Sequence, residues 1–235
     1  METNWNEEQL VREYANRDRS ITDWRLGYSQ VLDLLGDVKR KRIIDYGCGS
    51  GRFARRLSDL GARVYAVDIS EKALQEAMKR PTGSTSIRYQ LIKSGDLSSV
   101  PLSDAAVINL VLCCIRDKDE TVRVLSSVCE KLPLGEPLVI CEPHPEGVGH
   151  AYVSYSSRAQ GKLKSGTRIK VKLKGLSKEF CDYWRPKQEY FDLVEKSGFM
   201  IETVREPLAN QQELFWKDEK TQAPYLIIKA IRGEK

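Results

Sequence analysis

Long apolar runs are missing from this 235-residue sequence. No stretch approaches the roughly 18 consecutive apolar residues that a membrane-spanning helix requires, and residues Met1 to Trp5 do not resemble a signal peptide. With 41% hydrophobic residues, the chain can still bury a sizeable core. These features predict one cytoplasmic domain with no membrane partner, and the length leaves room for an inserted cap.

Clusters of metal-ligating residues are also missing. The six cysteines are scattered, and the adjacent pair Cys113-Cys114 is too close in sequence to favour a disulfide. We therefore expect reduced thiols, which are typical of the cytoplasm. The chain has two histidines, His144 and His150, and both follow Glu142. Because this spacing fits no common metal site, no metal is predicted.

Acidic residues are absent from one segment. Between Lys162 and Lys178 there are seven basic residues and no acid, and without these seven the net charge of +5 would be −2. Within the segment, Thr167 to Lys174 alternates polar and apolar residues, which predicts a half-buried strand with lysines on its outer face. These lysines either protect an edge strand from aggregation or form an electropositive rim for an anionic substrate or a nucleic acid.

A glycine-rich turn connects a predicted strand to a predicted helix. Ile43 and Ile44 suit a buried strand, and Phe53 begins a set of apolar residues at helical spacing. Between them, glycines at positions 47, 49 and 51 let the backbone turn sharply and approach a ligand closely. Asp45 ends the strand and places a carboxylate just before the turn.

Two classes of nucleotide-binding protein use such a turn. The dinucleotide pattern is G-x-G-x-x-G, but its sixth position here is Arg52. Asp45 would also disfavour a pyrophosphate, whereas it suits an ammonium or a sulfonium group. A nicotinamide-dependent oxidoreductase is therefore the less favoured alternative. The D-x-G-x-G-x-G pattern resembles motif I of the class I S-adenosylmethionine-dependent methyltransferases, and the resemblance covers most of the chain.

The resemblance implies a binding site for S-adenosylmethionine, with S-adenosylhomocysteine as the product. Asp68 ends the second strand, where an acid can accept hydrogen bonds from both ribose hydroxyls. Ile69 would pack on the adenine, Asp96 and Leu97 would contact the adenine edge, and Arg25 would reach the methionine carboxylate. The complete set of implied cofactor residues is Arg25, Asp45, Gly47, Cys48, Gly49, Gly51, Asp68, Ile69, Asp96, Leu97 and the Leu110 backbone.

Three residues are candidate catalytic bases. His144 follows the fifth strand at its carboxyl end, where ligands bind in open α/β sheets, and an unperturbed imidazole titrates near neutral pH. Tyr28 lies on an N-terminal helix that, in the resembled family, folds over the cofactor. Glu142 is a third candidate. A base is needed only if the accepting atom carries a proton. The alternative roles are core packing for Tyr28 and a surface loop position for His144.

The resemblance also implies a Rossmann-like α/β fold. We expect a seven-stranded, mostly parallel sheet whose last strand is antiparallel, with helices on both faces. The expected order is an N-terminal helical cap over residues 1–36, a cofactor-binding core over 37–146, an inserted substrate lid over 147–185, and a C-terminal helix and strand hairpin over 186–235.

The short chain and its aromatic lid segment resemble the small-molecule branch of the family, which includes metabolite and natural-product methyltransferases, and this resemblance implies a small-molecule acceptor. No N/D-P-P-Y/F motif follows the fourth strand, where the residues are Asn109 to Leu112, so methylation of exocyclic amino groups is disfavoured. One alternative is an RNA or protein/peptide methyltransferase that docks through the basic 162–178 segment. Another is a non-catalytic partner subunit that retains the cofactor pocket. A monomer and a homodimer are both compatible with the sequence.

Overall fold

The computed structural model describes residues 3–17, 21–80, 86–159 and 161–234. The loop that the sequence predicts from Pro81 to Ser86 lies outside these ranges except for Ser86. Among the described residues, no helix combines the length and the apolar character needed to cross a membrane.

Seven strands form the central sheet in the order β3-β2-β1-β4-β5-β10-β9. The first five run parallel, and β10 is antiparallel to both of its neighbours. The predicted Rossmann-like fold with an antiparallel last strand is confirmed. The strands are β1 Arg42–Tyr46, β2 Arg63–Asp68, β3 Ile87–Leu91, β4 Ala105–Asn109, β5 Pro137–Pro143, β9 Phe199–Arg205 and β10 Tyr225–Arg232.

Helices cover both faces of this sheet because its central strands are apolar on both sides. In β1, Ile43 belongs to the apolar cluster packed under α2, α3 and α4, whereas Ile44 belongs to the cluster under α5 and α6. Alternate side chains of a strand point to opposite faces. The helices are α1 Glu8–Asn16, α2 Ser29–Leu35, α3 Arg52–Asp59, α4 Glu71–Met78, α5 Lys118–Glu130 and α6 Lys187–Lys196.

Three further strands form a small antiparallel sheet between β5 and α6. They are β6 Tyr155–Ala159, β7 Thr167–Leu173 and β8 Phe180–Trp184. The alternation predicted for the basic segment is confirmed, since every second residue of β7 is buried. The edge-strand explanation of its lysines is wrong, because β7 pairs with both β6 and β8 and is the middle strand.

The segment that leads into α2 is a π-helix, Asp23–Tyr28. A π-helix closes i→i+5 hydrogen bonds and so holds more residues per turn than an α-helix. Side chains in this segment therefore point to different faces than regular helical spacing predicts.

Candidate active site

Backbone hydrogen bonds join the glycine turn after β1 to the end of β2. Gly47 and Gly49 adopt the left-handed region, with φ of 71° and 52°. The N–H groups of Gly47 and Cys48 donate to the Val67 carbonyl at 2.8 and 3.0 Å, and a Cβ at Gly47 would lie 2.3 Å from Val111 Cγ2. The turn thus depends on glycine both for its backbone angles and for its close packing.

Two buried carboxylates, Asp45 and Asp68, lie beside the turn. Asp68 accepts hydrogen bonds from the backbone N–H groups of Gly49 at 2.7 Å and Ser70 at 2.8 Å, which fix its orientation. Among the described residues, Asp45 Oδ2 has no hydrogen-bond partner. Burial and the neighbouring Asp68 raise the pKa of Asp45 to about 7.

A cavity of about 830 Å³ opens beside these carboxylates, and we call it the cofactor cavity. Ile69 is 54% exposed there and offers an apolar surface to a ligand. Leu110, at the end of β4, has a φ of 58°, which is unusual for a residue other than glycine. The predicted residues that line the cavity are Tyr28, Asp45, Gly47, Cys48, Gly49, Asp68, Ile69 and Leu110.

Arg25 and Gly51 do not line the cofactor cavity. The Arg25 guanidinium donates to Glu213 at 2.8 Å and lies near the ring of Trp216, on the outer surface. Arg25 lies within the π-helix, and the position of its side chain does not support the contact with the methionine carboxylate that the resemblance implies. Gly51 precedes α3, and a Cβ there would lie 2.5 Å from the Tyr89 hydroxyl. Its glycine character therefore serves packing between the turn and β3.

Asp96 and Leu97 also lie outside this lining. Asp96 is exposed and accepts a hydrogen bond from the N–H of Ser98 at 3.0 Å. Leu97 is buried in the core beneath the sheet. Ile92 and Ser94 line the cavity instead.

Asn109 is a lining residue that the sequence analysis did not assign to the site. It is the last residue of β4, next to Leu110. In the described part of the chain, neither its amide nitrogen nor its amide oxygen has a hydrogen-bond partner, although both atoms are buried. Asn109 could have been predicted from the sequence, because it is a polar residue at the carboxyl end of an apolar strand, where ligands bind in open α/β sheets.

A second, smaller space of about 80 Å³ lies under the small sheet, and we call it the inner chamber. Its walls are mainly aromatic and aliphatic, and they include Ile169 and Val171 of β7 and Phe180 and Trp184 of β8. The residues that line both the chamber and the cofactor cavity are Trp5, Tyr14, Leu110, Cys114 and Tyr183. The two spaces therefore share a wall.

The predicted bases Glu142 and His144 occupy different surroundings. Glu142 is buried and accepts the backbone N–H groups of Val111, Leu112 and Cys113 at 2.8 to 3.0 Å. It fixes the loop after β4. His144 lines the inner chamber and not the cofactor cavity.

Both ring nitrogens of His144 face other protein groups. Its Nδ1 accepts the N–H of Glu146 at 3.2 Å, and its Nε2 lies 3.4 Å from a carboxylate oxygen of Glu206. Burial lowers the pKa of this imidazole. Tyr28 does line the cofactor cavity, but burial raises the pKa of its phenol well above 10. A neutral phenol is a poor base at neutral pH.

Asp182 of β8 is a buried acid in the inner chamber that the sequence analysis did not single out. Its Oδ1 accepts the thiol of Cys114 at 3.6 Å. Burial and the nearby Glu142 raise the pKa of Asp182 to about 7. Among the described residues, Cys113, Cys114 and Asp182 bring three potential metal-ligand atoms within 4.8 Å of one another.

Comparison with known proteins identifies a methyltransferase domain in this chain. Residues 43–133, from β1 through α5, match the sequence model of a methyltransferase domain. This segment includes the glycine turn, Asp45, Asp68 and Leu110. The match covers less than half of the chain, and it agrees with the predicted resemblance to the class I S-adenosylmethionine-dependent methyltransferases. The protein is therefore a methyltransferase. Solved structures with the same fold are named as S-adenosylmethionine-dependent methyltransferases, which agrees with the predicted methyl donor.

Similarity of this methyltransferase to known proteins also extends outside residues 43–133. An uncharacterized protein of Haemophilus influenzae is 26% identical over 220 residues, which cover 87% of this chain and 86% of the relative. A demethylmenaquinone methyltransferase of Tropheryma whipplei is 32% identical over 113 residues, or 48% of this chain and 46% of the relative. A solved S-adenosylmethionine-dependent methyltransferase from Mesorhizobium loti shares the fold, with a TM-score of 0.66, 24% identity, and coverage of 91% of this chain and 99% of that one.

Proposed function

We propose that this methyltransferase acts on a small-molecule acceptor that enters the inner chamber from the cofactor cavity. The observation that carries the proposal is the shared wall, formed by Trp5, Tyr14, Leu110, Cys114 and Tyr183. A methyl group that crosses from one space to the other does so beside these side chains. Ligand sites are typically concave and mostly apolar, with a few polar groups, and the chamber fits that description.

The cofactor cavity suits the amino-acid end of S-adenosylmethionine. Asp45 offers an unpaired carboxylate oxygen, which would accept hydrogen bonds from an ammonium group. Asn109 offers both an unpaired donor and an unpaired acceptor to the same ligand. Asp68 retains unused lone pairs for ribose hydroxyls, because each carboxylate oxygen has two lone pairs. Ile69 supplies an apolar surface for the adenine ring.

When bound, S-adenosylmethionine supplies an electrophilic methyl group on a sulfonium. The contribution of this chain is to hold the acceptor in line and to exclude water. Trp5, Tyr14 and Tyr183 at the shared wall are bulky aromatic residues suited to both tasks. Positioning of this kind can contribute about 7–11 kcal/mol to lowering a reaction barrier.

A proton acceptor is required if the methylated atom carries a proton. We place this role on Asp182, because its carboxylate lies in the chamber and contacts Cys114 at the shared wall. His144 stays a prediction: its Nδ1 accepts the N–H of Glu146, and its buried Nε2 has no hydrogen-bond partner among the described residues but lies 3.4 Å from a Glu206 oxygen. Tyr28 is better suited to contact the cofactor than to take a proton.

The chamber dimensions favour a small acceptor over a macromolecule. The space of about 80 Å³ lies under β7 and β8, so it takes one end of a small acceptor, and the rest of the acceptor extends toward the cofactor cavity. The relative from Tropheryma whipplei is named as a demethylmenaquinone methyltransferase, and its match covers 48% of this chain. An RNA or peptide acceptor would instead depend on the exposed basic face of β7.

A chamber-blocking variant tests the proposal. Ile169→Phe fills the chamber from β7, and Lys170→Phe adds the same side chain on the opposite, exposed face as a matched control. Both proteins are titrated with S-adenosylhomocysteine and then assayed for transfer from a tritiated methyl donor to a library of small aromatic acids, phenols and amines. We expect unchanged product binding in both variants and loss of transfer only in Ile169→Phe. Equal transfer by both variants would contradict an acceptor site in the chamber.

A further inference from the structure

Arg17 places a buried guanidinium in the inner chamber. Its side chain is only 4% exposed, and it lines the chamber together with Asp23 and Tyr225. Its Nη2 forms an ion pair with Asp23. Within the described ranges of the chain, its Nε and Nη1 have no hydrogen-bond partner. A guanidinium cannot lose its proton in proteins, so these N–H groups stay charged donors without acceptors.

The ion pair with Asp23 leaves most of this donor capacity unused. Asp23 Oδ1 also accepts the hydroxyl of Tyr225 at 2.6 Å, which fixes the carboxylate on one side of the guanidinium. Burial of charged donors without acceptors opposes folding. An acceptor supplied by a ligand would remove that cost.

The charge around Arg17 favours an anion. Arg52 lies next to it and donates to the carbonyls of Tyr14 and Ala15 at 3.1 and 3.2 Å, as well as to the Arg17 carbonyl. Arg17 and the buried Arg185 both line the chamber, so its lining contains two guanidinium groups and one ion-paired acid, Asp23. The other acid of the chamber, Asp182, is only partly ionised near neutral pH because burial raises its pKa to about 7.

We propose that the acceptor of this methyltransferase carries an anionic oxygen group, such as a carboxylate, which accepts hydrogen bonds from the unpaired N–H groups of Arg17. The inference rests on the proposed function and names the class of its substrate. Arg17 lies near the Tyr14 ring, with its Cζ 5.6 Å from the ring centroid, and Tyr14 belongs to the shared wall. The acid end of the acceptor thus occupies the chamber, and the methylated atom lies toward the cofactor cavity.

Benzoate and its neutral analogue benzamide are suitable probes. Calorimetry or ligand-observed magnetic resonance measures the binding of each to the 235-residue protein, with and without S-adenosylhomocysteine. Arg17→Met removes the charge and the donors, and Arg158→Met is the matched control, because Arg158 pairs with Glu179 on the exposed side of the small sheet. Since Arg17→Met removes the positive charge that pairs with the buried Asp23, the double variant Arg17→Met/Asp23→Asn is measured in parallel.

We expect benzoate to bind the wild-type protein at least tenfold more tightly than benzamide. This preference should disappear in Arg17→Met and in the double variant, and persist in Arg158→Met. Undetectable benzoate binding at millimolar concentration, or a preference that survives both Arg17 variants, would overturn the inference. Titration of S-adenosylhomocysteine into the same samples separates the two proposals. If the wild-type protein binds S-adenosylhomocysteine but does not prefer benzoate to benzamide, only the anion site is contradicted. If the wild-type protein binds neither S-adenosylhomocysteine nor benzoate, the proposed function is contradicted as well.

Discussion

Glu142 Oε1 accepts the backbone N–H of Leu112 at 2.8 Å, so the end of β5 holds the loop that follows β4. The same carboxylate accepts the N–H groups of Val111 and Cys113. This loop supplies Leu110 and Cys114 to the wall shared by the two spaces. A buried acid that accepts three backbone hydrogen bonds is a structural element of the site and is poorly placed to act as a base.

Replacing Glu142 should destabilise the fold. Glu142→Ala leaves three buried N–H groups without an acceptor, and each such group costs about 1–3 kcal/mol. We expect the free energy of unfolding in urea to fall by roughly 3 kcal/mol or more. The exposed Glu130→Ala is the control and should change it by less than about 0.5 kcal/mol. Equal effects of the two substitutions would contradict the structural role.

Asp45 makes the stability of the ligand-free protein depend on pH. Its folded-state pKa of about 7 lies above the ordinary value of 3.8, so the folded protein holds this proton more tightly than the unfolded chain. The contribution of Asp45 to stability therefore falls as pH rises from about 4 to about 7 and levels off above that. Asp45→Asn removes this dependence.

We expect Asp45→Asn to be more stable than the wild-type protein at pH 8, by roughly 1–4 kcal/mol, and the difference to be much smaller at pH 4. Denaturant unfolding at both pH values measures it. The same variant should bind S-adenosylhomocysteine at least tenfold more weakly, because the carboxylate is the expected partner of the ligand's ammonium group. An equal stability difference at both pH values would show that Asp45 is not the titrating group.

Asp182 should govern the pH dependence of turnover for an acceptor that carries a proton. A base acts in its ionised form, so kcat should rise with pH through about 7. We expect Asp182→Asn to lower kcat at least tenfold and to abolish this rise, with little change in binding of S-adenosylhomocysteine. His144→Ala should keep the rise. If His144→Ala abolishes the rise and Asp182→Asn keeps it, the sequence-based prediction is right and our assignment is wrong.

The exposed basic face of β7 gives a further prediction. Arg168 and Lys170 point outward, and they can be replaced by glutamine without touching Lys172, which donates to the carbonyls of Leu176 and Ser177. For a small-molecule acceptor, the double substitution should leave turnover within twofold of the wild-type value. A large loss of turnover, together with wild-type binding to RNA that weakens steeply with salt, would favour a macromolecular acceptor.

The sequence predicts the part of the site that the parallel sheet creates. Asp45 and Asp68 end adjacent parallel strands, so their side chains meet at one edge of the sheet whatever the surrounding loops do. Arg25 could not be placed in this way, because the π-helix changes the face on which it lies. Asp96 and Leu97 lie in a loop whose path depends on tertiary packing.

The acceptor side of the site was harder to predict for a related reason. Asp182 stands alone among aromatic residues in β8, and that contrast was a usable signal. Its partner Cys114, however, is 68 residues away along the chain, and only the folded small sheet brings the two together. Arg17 likewise approaches the chamber through tertiary packing that no local pattern reveals.

The most direct test of this account is a calorimetric titration of S-adenosylhomocysteine into the wild-type protein, Asp68→Ala and Asp96→Ala. Asp68 lines the cofactor cavity, whereas Asp96 is exposed outside it. We predict micromolar binding to the wild-type protein and to Asp96→Ala, and binding at least tenfold weaker to Asp68→Ala. Wild-type protein that fails to bind S-adenosylhomocysteine, or binding that depends on Asp96 and not on Asp68, would contradict the cofactor site described for this chain.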